Sequence, residues 1–147
     1  MPMRIDDGGR AAAGYKGRTG DCVARAIAIA ANLPYQEAYA LINSTASYDL
    51  DGDRSNARTG VQNSLTRQVM QHLGWSWVPL MKIGSGCTVH LRADELPDGT
   101  IIVKLSKHVA AVIDGVLHDT YDCSRNGTRC VYGYWISLDI APPTRLH

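Results

Sequence analysis

The sequence predicts an α+β fold in which N-terminal helices pack on an antiparallel β-sheet formed by the C-terminal half. Apolar residues recur at helical spacing up to about residue 73 and at strand spacing after it. A further observation is Asp114-Gly115, which lies between two β-rich runs and is typical of a tight hairpin turn. With 147 residues, 45% of them hydrophobic and 20% charged, the chain has the size and composition of a single globular domain over residues 1–147.

Three helices are expected in the first half of the chain. In the first helix, Val23, Ile27 and Ala30 repeat at i, i+4 and i+7 and form one apolar stripe. Thr19 or Asp21 can cap its N-terminus through a side-chain oxygen. The first helix is predicted to begin between Thr19 and Asp21 and to end at about Asn32. The second is predicted at about Tyr35–Asn43, and the third at about Gly60–Leu73, where Gly74 ends it.

The remaining segments divide into loops and strands. The glycine-rich Met1–Gly20 is expected to be a loop, with residues 1–18 as a flexible N-terminal arm. The polar Ser44–Thr59 is expected to be an exposed loop, and residues 141–147 a tail. The predicted strands are Trp75–Leu80, Thr100–Leu105, His108–Ile113, Val116–Tyr121 and Val131–Leu138.

Charge and hydropathy exclude several classes of function. Fifteen Lys and Arg residues against 14 Asp and Glu residues give a net charge of +1, so no nucleic-acid partner is expected. No apolar run approaches the ~18–20 residues of a transmembrane helix, so no membrane partner is expected. Met1–Arg10 lacks the apolar segment of a signal peptide, which favours a cytoplasmic location. In that reducing compartment the four cysteines are expected to be free thiols.

Cys22 is the first candidate for chemistry. It lies at or within one residue of the predicted N-terminus of the first helix, directly after Gly20-Asp21. Unpaired amides and the helix dipole at such a position favour the thiolate form. The alternative is that Cys22 is a small apolar residue that packs beneath the helix.

The predicted hairpin brings His108 and Asp119 together. A two-residue turn at Asp114-Gly115 pairs residue 113 with 116, so that Ala110 lies opposite Asp119 and His108 is a diagonal neighbour of Asp119 on the same face. A carboxylate there can accept a hydrogen bond from one imidazole nitrogen and leave the other available. This is the orienter and base of a nucleophilic triad. The same counting places His118 and Asp122 on the opposite face, and a turn one residue longer would reverse the assignment.

The other cysteines suggest weaker alternatives. Cys87, His90, Cys123 and Cys130 contain donor types that zinc accepts, but the six residues between the last two cysteines are a loose spacing for a structural zinc site. Cys123 and Cys130 bracket a predicted turn, and the sequence leaves open whether they are paired or free. We therefore expect no metal and no cofactor.

The order of the candidate residues, Cys on an N-terminal helix followed by His and Asp on later strands, resembles the papain-like cysteine peptidase superfamily, particularly its compact bacterial members. More closely, the chain resembles a widespread set of small bacterial and phage-encoded proteins over nearly its whole length. The segments that carry this second resemblance are Asp6–Arg10, Gly17–Ala26, Gly84–Cys87, His108–Gly115 and His118–Thr120.

The resemblance implies a papain-like fold and a cysteine hydrolase that cleaves peptide or isopeptide bonds through a thioester. Cys22 would be the nucleophile, His108 the general base and acid, and Asp119 the group that orients the imidazole. Papain-like peptidases usually carry a Gln before the Cys, whereas the first Gln here is Gln36. The oxyanion would therefore depend on the Cys22 amide together with the Thr19 hydroxyl or a loop amide.

The expected partner is a protein or peptide substrate. Two alternatives keep the same fold. One is a catalytically inactive binding or inhibitory module that acts on a host or phage protein. The other is an amidase or acyltransferase that uses the same three residues.

Overall fold

The structure is a computed structural model that describes residues 1–14, 21–47, 63–81, 84 and 86–137. Within these residues one short strand is followed by three helices and then by five strands, an α+β arrangement that confirms the predicted class. The helices are α1 (Cys22–Ala30), α2 (Tyr35–Ser47) and α3 (Asn63–His72). The strands are β1 (Met3–Ile5), β2 (Trp75–Pro79), β3 (Thr100–Leu105), β4 (His108–Ile113), β5 (Val116–Asp119) and β6 (Gly133–Ser137).

The strands form one mixed sheet in the order β1-β5-β4-β3-β6-β2. Four of the five pairs are antiparallel, and β1 is parallel to β5. The expectation of a purely antiparallel sheet is therefore wrong at one edge. The later strands were predicted within a few residues of their observed bounds.

The N-terminal residues add that edge strand, whereas the sequence predicted a loop over Met1–Gly20. Met3 lies opposite Leu117 and Ile5 opposite Asp119. The backbone of Asp6 also donates to the carbonyl of Asp119 at 2.9 Å. A strand of three residues is too short to show an alternating pattern in the sequence. It forms because its backbone pairs with β5, far along the chain. Of the expected flexible arm, residues 1–14 are described and include β1, and 15–18 lie outside the described residues.

The helix boundaries differ modestly from the predicted ones. Helix α1 begins at Cys22 and ends two residues before Asn32. Helix α2 continues to Ser47, so the loop predicted for Ser44–Thr59 is wrong at its start, and residues 48–59 lie outside the described residues. The hydroxyl of Thr45 donates to the carbonyl of Leu41 at 2.8 Å, which satisfies a polar side chain inside the helix. The predicted tail, residues 141–147, also lies outside the described residues.

Apolar residues fill both faces of the sheet. Helix α1 packs on β4, and its predicted stripe is buried. The layer beneath the helices includes Val23, Ile27, Ile42, Val69, Ile102, Val109, Ala111 and Trp135. The layer on the opposite face includes Leu91, Leu96, Ile101, Val103, Leu105, Ala110, Val112, Leu117, Cys123 and Val131.

The β4–β5 hairpin has the predicted register. Residues 113, 112 and 111 lie opposite 116, 117 and 118. Asp114 and Gly115 have φ angles of 49° and 78°, and a two-residue type I′ turn requires positive φ at both positions. The turn therefore sets which side chains of the two strands share a face.

The cysteines depart from the expectation of free thiols. Cys87 and Cys130 form a disulfide, while Cys22 and Cys123 are free. The backbone explains the pairing, because Val131 donates to the carbonyl of Val89 at 2.9 Å and thereby aligns the two segments. The Cα atoms of Cys87 and Cys130 then lie 5.8 Å apart. Among the residues described, no helix is long and apolar enough to cross a bilayer.

Candidate active site

His108 and Asp119 form a buried pair, as the hairpin register predicted. Nε2 of His108 lies 2.7 Å from Oδ2 of Asp119. The two residues are only 7% and 3% exposed, so their interaction is shielded from water. Because Nε2 is occupied by the carboxylate, Nδ1 is the ring nitrogen left for a second partner.

The second oxygen of Asp119 is also held. Oδ1 accepts a hydrogen bond from the backbone of Thr120 at 2.7 Å and lies 3.4 Å from the guanidinium of Arg25. Burial raises the pKa of Asp119, but the hydrogen bond and charge of His108, with help from Thr120 and Arg25, lower it overall. Asp119 is therefore ionised and fixed, as a group that orients an imidazole must be.

Cys22 lies at the N-terminus of α1 and interacts with His108. It is the first helical residue and is half-buried. Burial raises the pKa of its thiol, but the hydrogen bond and positive charge of His108, the backbone of Val109 and the charge of Arg25 outweigh that effect and lower it. The position at the helix N-terminus favours the thiolate further.

The imidazole responds in the opposite direction. Burial lowers the pKa of His108, whereas hydrogen bonds to Asp119, Cys123 and Cys22 raise it to about 11 overall. The two opposite shifts both favour an imidazolium that lies between the carboxylate of Asp119 and a thiolate at Cys22. This is the charge distribution of an activated cysteine nucleophile.

Asp21 fixes the start of α1, although not as the side-chain cap that the sequence suggested. It occupies the N-cap position, but no cap hydrogen bond from its side chain is formed. Its carboxylate instead accepts a hydrogen bond from Tyr35 at 2.6 Å and pairs with Arg25 and, at 3.3 Å, with Arg10. Burial and the bond to Asp21 raise the pKa of Tyr35, which therefore stays a hydrogen-bond donor.

Arg25 links this cluster to the His108–Asp119 pair, and sequence reasoning did not identify it. Its guanidinium contacts both Asp21 and Asp119, which are buried on different elements. The i, i+4 spacing of Asp21 and Arg25 is a signal that indicates their pairing. Nothing local in the sequence indicates the contact with Asp119, 94 residues away.

The predicted oxyanion residue Thr19 lies outside the described residues. The remaining candidate is the backbone amide of Cys22, because the first amides of a helix have no intrahelical acceptor. A carbonyl oxygen attacked by Cys22 would develop its charge next to that amide.

Cys123 is the second site residue that the sequence analysis did not place. Its thiol is 1% exposed, and its sulfur, a ring nitrogen of His108 and a carboxylate oxygen of Asp119 all lie within 4.8 Å of one another. The zinc set considered from the sequence is not assembled, because Cys87 and Cys130 are joined in a disulfide. His90 is bound to Glu95 at 3.1 Å instead.

His118, which the predicted register places on the face opposite His108, does not join the His108–Asp119 pair. His118 lies opposite Ala111, and its Nδ1 is 3.5 Å from a carboxylate oxygen of Asp6. It therefore interacts with the N-terminal segment and supplies a natural control for experiments on His108.

A cavity of about 330 Å³ has two tryptophans, Trp77 and Trp135, in its wall. Trp77 and Trp135 pack with ring centroids 4.6 Å apart. Burial lowers the pKa of Lys104, while the charge of Cys22 raises it, which links this side of the cavity electrostatically to the thiol. The lining residues are Arg67, Trp77, Pro79, Met81, Lys104, Tyr132 and Trp135.

Comparison of the chain with protein-family models, with curated proteins and with solved structures found no match in any of the three.

Proposed function

We propose that this protein is a cysteine hydrolase with a papain-like arrangement, in which Cys22, His108 and Asp119 cleave peptide or isopeptide bonds. The observation that carries the proposal is the position of His108. Its imidazole is bound to Asp119 at 2.7 Å through Nε2 and also interacts with a free thiol at a helix N-terminus.

In the proposed reaction the Cys22 thiolate attacks a substrate carbonyl carbon and forms a C–S bond. The carbonyl oxygen becomes an oxyanion beside the Cys22 amide. When the tetrahedral intermediate collapses, the C–N bond breaks and the leaving amine takes the proton from His108. A thioester on Cys22 remains.

Hydrolysis of the thioester completes the cycle. Neutral His108 removes a proton from water, the hydroxide attacks the thioester carbonyl, and the C–S bond breaks. The products are a carboxylic acid and the thiolate, with the imidazolium restored. Asp119 keeps the ring in one orientation throughout and stabilises its positive charge.

The cavity that Lys104 lines supports a peptide as the substrate, since the charge of Cys22 acts on this lysine. Its tryptophan and tyrosine walls offer large apolar surfaces, and Arg67 and Lys104 add positive charge at its margin. Extended peptides with apolar side chains match such walls, since aromatic residues bury large areas at recognition sites.

The cytoplasmic location stays a prediction. The reducing cytosol keeps most thiols reduced. A cytoplasmic protein would therefore also have to fold with Cys87 and Cys130 unpaired, which differs from the disulfide described above.

A digest of a synthetic peptide library, read by mass spectrometry, tests the proposal. The wild-type protein is expected to produce new termini and an acyl adduct on Cys22, and Cys22→Ala is expected to produce neither. His118→Ala is the matched control and should cleave as the wild type does. Equal cleavage by Cys22→Ala would contradict the proposed triad, and no cleavage by any protein would favour an inactive binding module.

A further inference from the structure

Cys123 is a buried thiol that the proposed reaction does not use. It is 1% exposed and belongs to the apolar cluster that contains Ala110 and Leu117. Its sulfur belongs to a compact group with one nitrogen of His108 and one oxygen of Asp119, and the three atoms lie within 4.8 Å of one another. All three residues are buried, so water does not screen the group.

The three donor types are those that zinc accepts. Zinc binds imidazole nitrogen, carboxylate oxygen and thiolate sulfur at roughly 2.0–2.3 Å and prefers a tetrahedral arrangement. Ligand atoms around such an ion lie roughly 3.3–3.5 Å apart, as tetrahedral geometry at those bond lengths requires. The Nε2–Oδ2 pair, now 2.7 Å apart, therefore has to open by roughly 0.6 Å, and the sulfur has to approach by at most roughly 1.3 Å.

The hydrogen bonds of Asp119 leave the correct oxygen for a metal. Oδ1 is taken by Thr120 and Arg25, whereas Oδ2 contacts only His108 among its hydrogen-bond partners in the described residues. A metal ion can replace the proton between Oδ2 and the imidazole. Thr120 and Arg25 then hold the ligand carboxylate from behind, as outer partners do in metal sites.

We propose that His108, Asp119 and Cys123 form a binding site for a divalent transition-metal ion with the ligand preference of zinc. The ion displaces the thiol proton of Cys123 and the proton shared by His108 and Asp119, and both protons pass to solvent. Three protein ligands leave a fourth position of the ion for water.

The site has a consequence for the proposed hydrolase. His108 and Asp119 belong to both sites, so an ion on the imidazole prevents it from accepting or donating a proton. Occupation by zinc then inhibits hydrolysis. The predicted inhibition rests on the proposed function, whereas the metal binding itself does not.

Cobalt(II) titration of the whole chain tests the binding directly, because a cobalt–thiolate bond gives an intense charge-transfer absorption. The wild type is expected to give a band that saturates at one equivalent and disappears when zinc is added. Cys123→Ser and His108→Gln should lose the band, and Cys22→Ser should keep it. The proposal fails if the wild type gives no saturable band, or if the band survives in whichever of the first two variants folds.

A second measurement separates this proposal from the proposed function. If the triad is active, zinc should inhibit wild-type cleavage at least tenfold more strongly than cleavage by Cys123→Ser, whatever the basal rate of that variant. Equal inhibition of both proteins would overturn the shared site. If the chain cleaves nothing, the cobalt titration with Cys22→Ser still decides whether the metal site exists.

Discussion

Replacing Cys22 by alanine is expected to make the stability of the protein depend on pH in a range where the wild type is insensitive. The reason lies in the two opposite pKa shifts at the site. In the folded protein the pKa of Cys22 is lowered from 9.0 and that of His108 is raised from 6.5 to about 11. Stability varies with pH only where the folded and unfolded states bind different numbers of protons.

The proton counts give the expected size. If the thiolate–imidazolium pair exists, the folded wild type carries one proton of the pair between pH 7.5 and 9, on His108, and the unfolded chain carries most of one, on Cys22, whose ordinary pKa is 9.0. The two contributions cancel. Without Cys22 the unfolded chain carries none and the folded protein still carries one, so the free energy of unfolding falls by up to about 1.4 kcal/mol per pH unit.

Between pH 7.5 and 9 the free energy of unfolding of Cys22→Ala is therefore expected to fall by about 2 kcal/mol in total. Cys22 itself contributes to the raised pKa of His108, but Asp119 is the larger stabilising partner and remains. The stability that His108 contributes is complete below pH 6.5 and is lost as pH rises toward about 11, which fixes the sign of the slope.

Urea unfolding followed by tryptophan fluorescence measures the effect at several pH values without reductant. Since other groups titrate alike in both proteins, the difference between wild type and Cys22→Ala isolates the pair. The double variant Cys22→Ala, His108→Gln is the control and should not show the slope. A difference that stays constant from pH 7.5 to 9 would refute a thiolate–imidazolium pair.

Two further predictions concern stability alone. Arg25→Met should lower the free energy of unfolding by about 1.5–3 kcal/mol in urea titrations, because the buried carboxylates of Asp21 and Asp119 lose their shared cation while Arg10 and His108 remain as partners. Reduction of the Cys87–Cys130 disulfide, whose partners are 43 residues apart, should lower it by about 4 kcal/mol, the chain-entropy value for a loop of that length.

Each of these predictions has a matched control. Arg92 pairs with Asp94 on the surface, and its side chain is 52% exposed. Arg92→Met should therefore leave the stability almost unchanged. For the disulfide, reductant should leave the stability of Cys87→Ala, Cys130→Ala unchanged. Equal losses of stability from Arg25→Met and Arg92→Met would contradict the role given to Arg25. An equal response of the wild type and the double alanine variant to reductant would contradict the role given to the disulfide.

The part of the site that sequence predicts best is the part that strand periodicity determines. A type I′ turn at Asp114-Gly115 fixes the register, and the register alone places His108 beside Asp119 and His118 on the other face. Helix α1 could also be predicted from the sequence, because its apolar stripe and the position of Cys22 depend on local spacing.

The features that were missed depend on contacts between distant segments. Strand β1 has three residues and pairs with β5, so its own sequence carries too little pattern. Arg25 lies in an apolar helix, and only the three-dimensional arrangement shows that it bridges two carboxylates. Cys123 and the Cys87–Cys130 disulfide depend on how irregular segments cross the sheet, which periodicity does not determine.

The most direct test of the central claim is the pH dependence of Cys22 alkylation by iodoacetamide, measured by mass spectrometry. We expect the alkylation rate of wild-type Cys22 to fall less between pH 8.5 and pH 6 than that of an ordinary thiol, because His108 lowers the pKa of Cys22. His108→Ala should slow the reaction at pH 6 by at least about tenfold, because the thiol regains an ordinary pKa. His118→Ala should behave as the wild type, and Cys123 serves as an internal comparison. If the rate at Cys22 rises with pH as for an ordinary thiol, or if His108→Ala leaves it unchanged, the thiolate–imidazolium pair does not exist.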